Sequence, residues 1–138
     1  LQALVTHLLL ARNEVVIMDM EAGIEHLGRG TARAVDKLII VVEPSRRSIE
    51  TANRVNELAR DIGLNKVAVV GNKIRNQADR DFIVANLPNS KFLGFIPYDE
   101  AIVAADQASG RFLDASPRVN AAVSDIYQAL LGTAPVSS

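Results

Sequence analysis

Leu38-Ile39-Ile40-Val41-Val42-Glu43-Pro44-Ser45 is the stretch on which the fold turns. Its first five residues are all aliphatic and do not alternate with polar ones, so both faces of the segment call for cover. That pattern belongs to a strand inside a parallel sheet. The period then changes at once. From Ser45 the apolar positions Ile49, Ala52, Val55, Leu58 and Ile62 recur at helical spacing, and Gly63 supplies a left-handed stop. Ser45 is the expected N-cap, because its hydroxyl can accept a bond from a free first-turn N–H.

Working outward, three more apolar runs read as strands: Val15–Met18, Val67–Val70 and Phe92–Ile96. Shorter helices are expected over Gln77–Asn86 and Asp99–Ala108. A last one is expected after Ser116 and Pro117, with Val119, Val123, Ile126 and Leu130 on one face. Strands alternating with helices predict an α/β fold, a mostly parallel sheet with helices on both faces. Residues 1–132 are expected to form one domain, and 133–138 a loose tail.

Bulk composition excludes some functions. The 138 residues suit one domain, 49% of them are hydrophobic and 22% charged, and the net charge is −1. No global field draws such a chain to nucleic acid or anionic lipid. There are no cysteines, which removes disulfides and thiolate metal sites within these residues. His7 and His26 have no companions at ligand spacing. No apolar run approaches the roughly 20 residues of a membrane-spanning helix, and a cytoplasmic setting is expected. The chain opens at Leu1 in the middle of a helical pattern, so a natural N-terminus upstream is expected.

Ligands of open parallel sheets sit beyond the carboxyl ends of the strands. The first such end is Asp19-Met20-Glu21-Ala22-Gly23. An acid at a strand tip can hold Mg²⁺ through water, and a nearby glycine lets its N–H approach a phosphate. A turn-capping acid explains the same residues equally well. Gly23-Ile24-Glu25-His26-Leu27-Gly28 has the glycine spacing of a P-loop, but Arg29 and Gly30 stand where that loop needs Lys and then Ser or Thr. No other stretch supplies one. Val70-Gly71-Asn72-Lys73 ends its strand in an amide that can pair with the adenine edge, although Asn and Gly are also ordinary turn residues. In Ile96-Pro97-Tyr98-Asp99-Glu100, Pro97 can hold the backbone against a flat ring while Asp99 caps a helix. Arg46 and Arg47 sit on a first helical turn, where solvation alone accounts for them.

Taken in order, the acid-glycine turn, the Asn-Lys pair and the Ile-Pro-x-Asp-Glu-Ala segment resemble the MinD/ParA group of P-loop ATPases. Within it, Asp19-Met20-Glu21-Ala22-Gly23-Ile24-Glu25-His26 followed by Arg29-Gly30-Thr31 is similar to the CooC-type accessory ATPases linked to nickel insertion into carbon monoxide dehydrogenase. The resemblance runs from Glu14 to Tyr127. It implies Asp19 on the Mg²⁺ side and Gly23 as the sensor of the terminal phosphate. It implies ATP or ADP held by Asn72 and Lys73, with Pro97, Tyr98 and Asp99 around the base. It further implies a homodimer serving carbon monoxide dehydrogenase or a similar nickel enzyme, with neither nucleic acid nor membrane as partner. The family's P-loop lysines and its Cys-x-Cys metal pair are absent from these residues, so the chain alone is expected to be inactive. Two alternatives are carried: a partitioning or division-site ATPase, and a non-catalytic receiver-like module. The first would want cationic flanks on the final helix, where Arg118 is the only cation. The second would want a Ser or Thr directly ending the strand that instead runs into Glu43-Pro44.

Overall fold

Hydrophobic runs and capping residues place nearly every element of this computed structural model, which describes residue 30, residues 35–107 and residues 116–132. The strand read at Val15–Met18, the residues Asp19, Gly23, His7 and His26, and the tail 133–138 lie outside the described residues. The elements, in chain order, are β1 (Leu38–Val42), α1 (Arg46–Asp61), β2 (Val67–Ile74), α2 (Gln77–Asn86), β3 (Phe92–Pro97), α3 (Glu100–Gln107) and α4 (Pro117–Leu130).

The three strands form a parallel sheet in the order β1-β2-β3. β1 runs in register against β2 from Leu38↔Val67 to Val42↔Gly71. β2 meets β3 less evenly, with register shifts between Val69 and Val70 and between Gly71 and Ile74.

Alternation along β2 divides the core. Val69 joins Ile40, Val42, Ile49, Ala52, Ile83 and Leu87 on one face, under α1 and α2. Ala68 and Val70 turn the other way and meet Leu93 beneath Ile126, Ala129 and Leu130 of α4. Helices therefore cover both faces of β2, as its unbroken apolar run requires, whereas on β1 only the face of Ile40 and Val42 is covered among the described residues and Ile39 and Val41 are exposed. Two glycines set how closely they approach. A Cβ on Gly71 would lie 2.5 Å from Cδ1 of Phe95, and one on Gly94 would lie 2.7 Å from Cγ1 of Ile126. Ring and helix pack directly on bare backbone at these points.

The caps at Ser45 and Ser116 follow the sequence reading, and the structure adds one at Asn76. Ser45 accepts from the Ser48 N–H at 3.2 Å, Asn76 from Asp79 at 2.9 Å, and Ser116 from Val119 at 3.2 Å. Each such cap is worth about 1 kcal/mol of helix stability. Gly63 ends α1 at φ +83°, a conformation that costs glycine nothing.

One boundary is corrected. The apolar run predicts β2 over Val67–Val70, with Asn72 and Lys73 following the strand, yet it continues to Ile74. Pairing resumes past the irregularity because Ile74 lies opposite Pro97 and its carbonyl accepts from the Tyr98 N–H at 2.9 Å. Asn72 and Lys73 thus sit inside the strand's distorted tail.

Candidate functional site

The carboxyl ends of β1, β2 and β3 bring together Glu43, the Asn72–Arg75 segment and Pro97–Asp99. Asn72, Pro97, Tyr98 and Asp99 are half-buried, and Lys73 is exposed. These five candidates share one edge because β2 and β3 end side by side. The register irregularity carries the tail of β2 up to Pro97. Asp19 and Gly23 lie outside the described residues.

Lys73 is the one described non-glycine residue with positive φ, at 58°. Its ammonium reaches Oε1 of Glu43 at 3.3 Å, with both side chains about half exposed. A pair so open to water contributes little to stability, so it is not what holds the backbone in this conformation. Unusual backbone of this kind concentrates at functional sites.

Arg75 is exposed, yet its side chain lies over a neighbouring residue. Its guanidinium carbon lies 4.5 Å from the centre of the Tyr98 ring, a cation–π arrangement. Its backbone N–H donates to Oδ2 of Asp79 at 2.9 Å, which joins β2's exit to the first turn of α2. A cleft of about 250 Å³ opens here, between Glu43, Pro44, Ser45, Lys73, Arg75 and Asp79.

Asp99 is the most connected acid at this edge. Its Oδ1 accepts from the Ala101 N–H at 2.9 Å and so caps α3. Its Oδ2 accepts from the Ser116 hydroxyl at 2.5 Å and lies 3.7 Å from the Arg118 guanidinium. These contacts hold the carboxyl below the ordinary carboxylate range. The Ser116 hydroxyl contributes most, then the Ala101 N–H, with Arg118 adding to both against the opposing effect of partial burial. The link to Ser116 and Arg118 was not legible in the sequence. Asp99 and Ser116 each read as a cap for its own helix, and nothing in a linear pattern says that two caps 17 residues apart share a bond.

Chemically, this edge offers an amide with both donor and acceptor, an aromatic ring with one face occupied, and an ionised acid bonded within the protein. Among the described residues no group of three or more His, Asp or Glu is placed to hold a metal ion, and no helix is long and apolar enough to cross a membrane.

Comparisons with known proteins bear on the chain as a whole. The chain is 45% identical over 130 residues to the carbon monoxide dehydrogenase accessory protein CooC of Rhodospirillum rubrum, covering 94% of this chain and 49% of that protein. It is 46% identical over 109 residues to an uncharacterized ATP-binding protein of Methanocaldococcus jannaschii, covering 77% of this chain and 42% of that protein. Among solved structures, the MinD cell division protein of Aquifex aeolicus superposes with a TM-score of 0.66 at 28% identity, over 80% of this chain and 50% of that one. The MinC:MinD complex from the same organism gives 0.65 at 26% identity, over 80% and 49%. No family model matches. The chain spans about half the length, or less, of the curated relatives it matches.

Proposed function

From this chain's membership of the CooC-like branch of the MinD/ParA-type ATPases, we propose that it supplies the base-binding portion of an ATP-hydrolysing accessory protein for a nickel enzyme. Carbon monoxide dehydrogenase, or an enzyme like it, is the proposed client. The whole protein is proposed to be a cytoplasmic homodimer whose nucleotide state drives the switch, with its phosphate loop upstream of Leu1. In that protein Gly23 senses the terminal phosphate, and Mg²⁺ enters as the partner of Asp19. Neither residue is among those described.

The observation that carries the reading is the convergence of Asn72, Pro97 and Tyr98 at adjoining strand ends, where open parallel sheets bind ligands. The Asn72 amide can donate to one adenine nitrogen and accept from another, while Pro97 and Tyr98 wall the ring plane. The division-site alternative draws support from the MinD superposition, but at 28% identity it stands behind an accessory-protein match at 45%.

Base choice provides the test. Guanine-specific relatives of this fold place an Asp two residues after the Asn-Lys pair, where its carboxylate accepts from the guanine N1 and N2 donors. Here that position is Arg75, which has donors only and is engaged with Tyr98. A competition titration on the whole protein is expected to show ATP bound more tightly than GTP. Asn72→Ala is expected to weaken ATP by about one to two decades, the cost of about 1–3 kcal/mol for an unmatched buried polar group. Equal or tighter GTP binding overturns the assignment.

A further inference from the structure

The Pro97–Tyr98 segment is held from three directions. The Tyr98 N–H donates to the Ile74 carbonyl at 2.9 Å, Arg75 covers the ring, and an Arg118 Nη donates to the Tyr98 carbonyl at 3.2 Å. One of these restraints comes from the last residue of β2, the strand that carries Asn72, and a second from Arg75 directly after it. The third comes from the first turn of α4, on the opposite face of the sheet from α1 and α2.

Asp99 binds that turn to the same segment. Its two oxygens accept from Ala101 and Ser116 and face Arg118, so each oxygen has a partner inside the protein. Ser116 is fully buried. Its hydroxyl donates to Asp99 and accepts from the Val119 N–H. One carboxylate therefore anchors the starts of both α3 and α4, directly after the residues that wall the candidate base pocket. Bonded in this way, Asp99 acts through the backbone it fixes.

We propose that Ser116 and Arg118 are positioning residues for base recognition, holding the Pro97–Tyr98 wall through Asp99 and the Tyr98 carbonyl without touching the nucleotide. This rests on the base-pocket reading above. Ser116 carries the larger share, because it is buried and bonded on both sides. The Arg118 side chain is 68% exposed, which weakens its part of the contact.

The experiment uses the whole protein and two probes: ATP, and inorganic tripolyphosphate, which has no base. Ser116→Ala is expected to weaken ATP about three- to tenfold, the effect of one lost hydrogen bond. Arg118→Ala is expected to weaken it about twofold. Tripolyphosphate should bind both variants as it binds the parent. Ser116→Thr keeps the hydroxyl and should restore ATP affinity, and Arg118→Ala, on the surface, serves if Ser116→Ala does not fold. Asn72→Ala is run alongside. If it weakens ATP while Ser116→Ala and Arg118→Ala do not, the positioning role is overturned and the base pocket stands. If ATP and tripolyphosphate weaken together, the effect is general to the fold and the role is again overturned. If Asn72→Ala leaves ATP binding unchanged, the base-pocket reading falls and takes this proposal with it.

Discussion

At the amino end of the strands, α1 and α2 part to leave a cleft of about 570 Å³, rimmed by Asn53, Asn56, Arg60 and Asn89. At the carboxyl end the open space is about 250 Å³, less than half as much. The carboxyl end nevertheless has contacts that converge from several elements. Lys73 pairs with Glu43, Arg75 covers Tyr98, and Asp99 holds Ser116, each contact joining two different elements. The larger cleft is floored by Leu64 and Leu87, which are already buried, so it is a seam between packed helices. Volume alone points to the amino end, whereas the groups that converge from separate elements lie at the carboxyl end, where the nucleotide is proposed to bind.

If that contrast is right, substitutions toward the core should cost stability, and those at the carboxyl edge should cost binding. Ile83→Ala gives the largest expected effect. The side chain is fully buried under α2 and reaches toward Gly71. Its removal should cost about 2–5 kcal/mol through lost burial and a residual cavity. Urea denaturation would read this as a lower midpoint at unchanged slope. A loss below about 1 kcal/mol would mean that α2 collapses onto the sheet easily, and would blur the distinction between the two ends.

Elements with strong local causes were the legible ones. β1 and α2 appear with the bounds that their residues suggested, because an aliphatic run ends at Glu43-Pro44 and Asn76 caps the next helix. Ser45 and Ser116 cap as expected. α3 begins at Glu100, with Asp99 as its cap. The tail of β2 was not legible. Asn and Gly read as a turn, and only the neighbouring strand's Pro97 and Tyr98 show that pairing resumes. The positive φ of Lys73 likewise has no sequence signal, since lysine rarely adopts it. The candidate site was half legible: Asn72, Pro97 and Tyr98 follow from strand ends, while the bond between Asp99 and Ser116 needs the fold.

A smaller effect should follow pH at the carboxyl edge. Asp99 is held below the ordinary carboxylate value, chiefly by the Ser116 hydroxyl. A depressed folded value means that its stabilisation is complete above the unfolded value of about 3.9 and is lost as pH falls through the folded one. The stability difference between the parent and Asp99→Asn should therefore be flat from neutral pH down to about pH 5, then shrink below about pH 4. Denaturation midpoints across that range would measure it. A difference that keeps its full size into strong acid would mean that the ionised carboxylate is not what joins α3 to α4.

The smallest effect is expected at the larger of these two clefts. Asn53 and Asn89 both line it, and both are exposed. Water replaces whatever their amides contact, and truncation opens no cavity, because Leu64 and Leu87 close the floor beneath them. Asn53→Ala and Asn89→Ala should each change stability by no more than about 0.5 kcal/mol, the usual range for surface substitutions away from caps and buried networks. Nucleotide affinity should stay within about twofold of the parent, since no group at the amino end reaches the strand tips where ligands of parallel sheets bind. Paired titrations with ATP and parallel denaturation curves would settle both points. If either variant weakened ATP as much as Asn72→Ala does, the amino-end cleft would have to be read as coupled to the nucleotide. The contrast between the two ends would then fail at its simplest point.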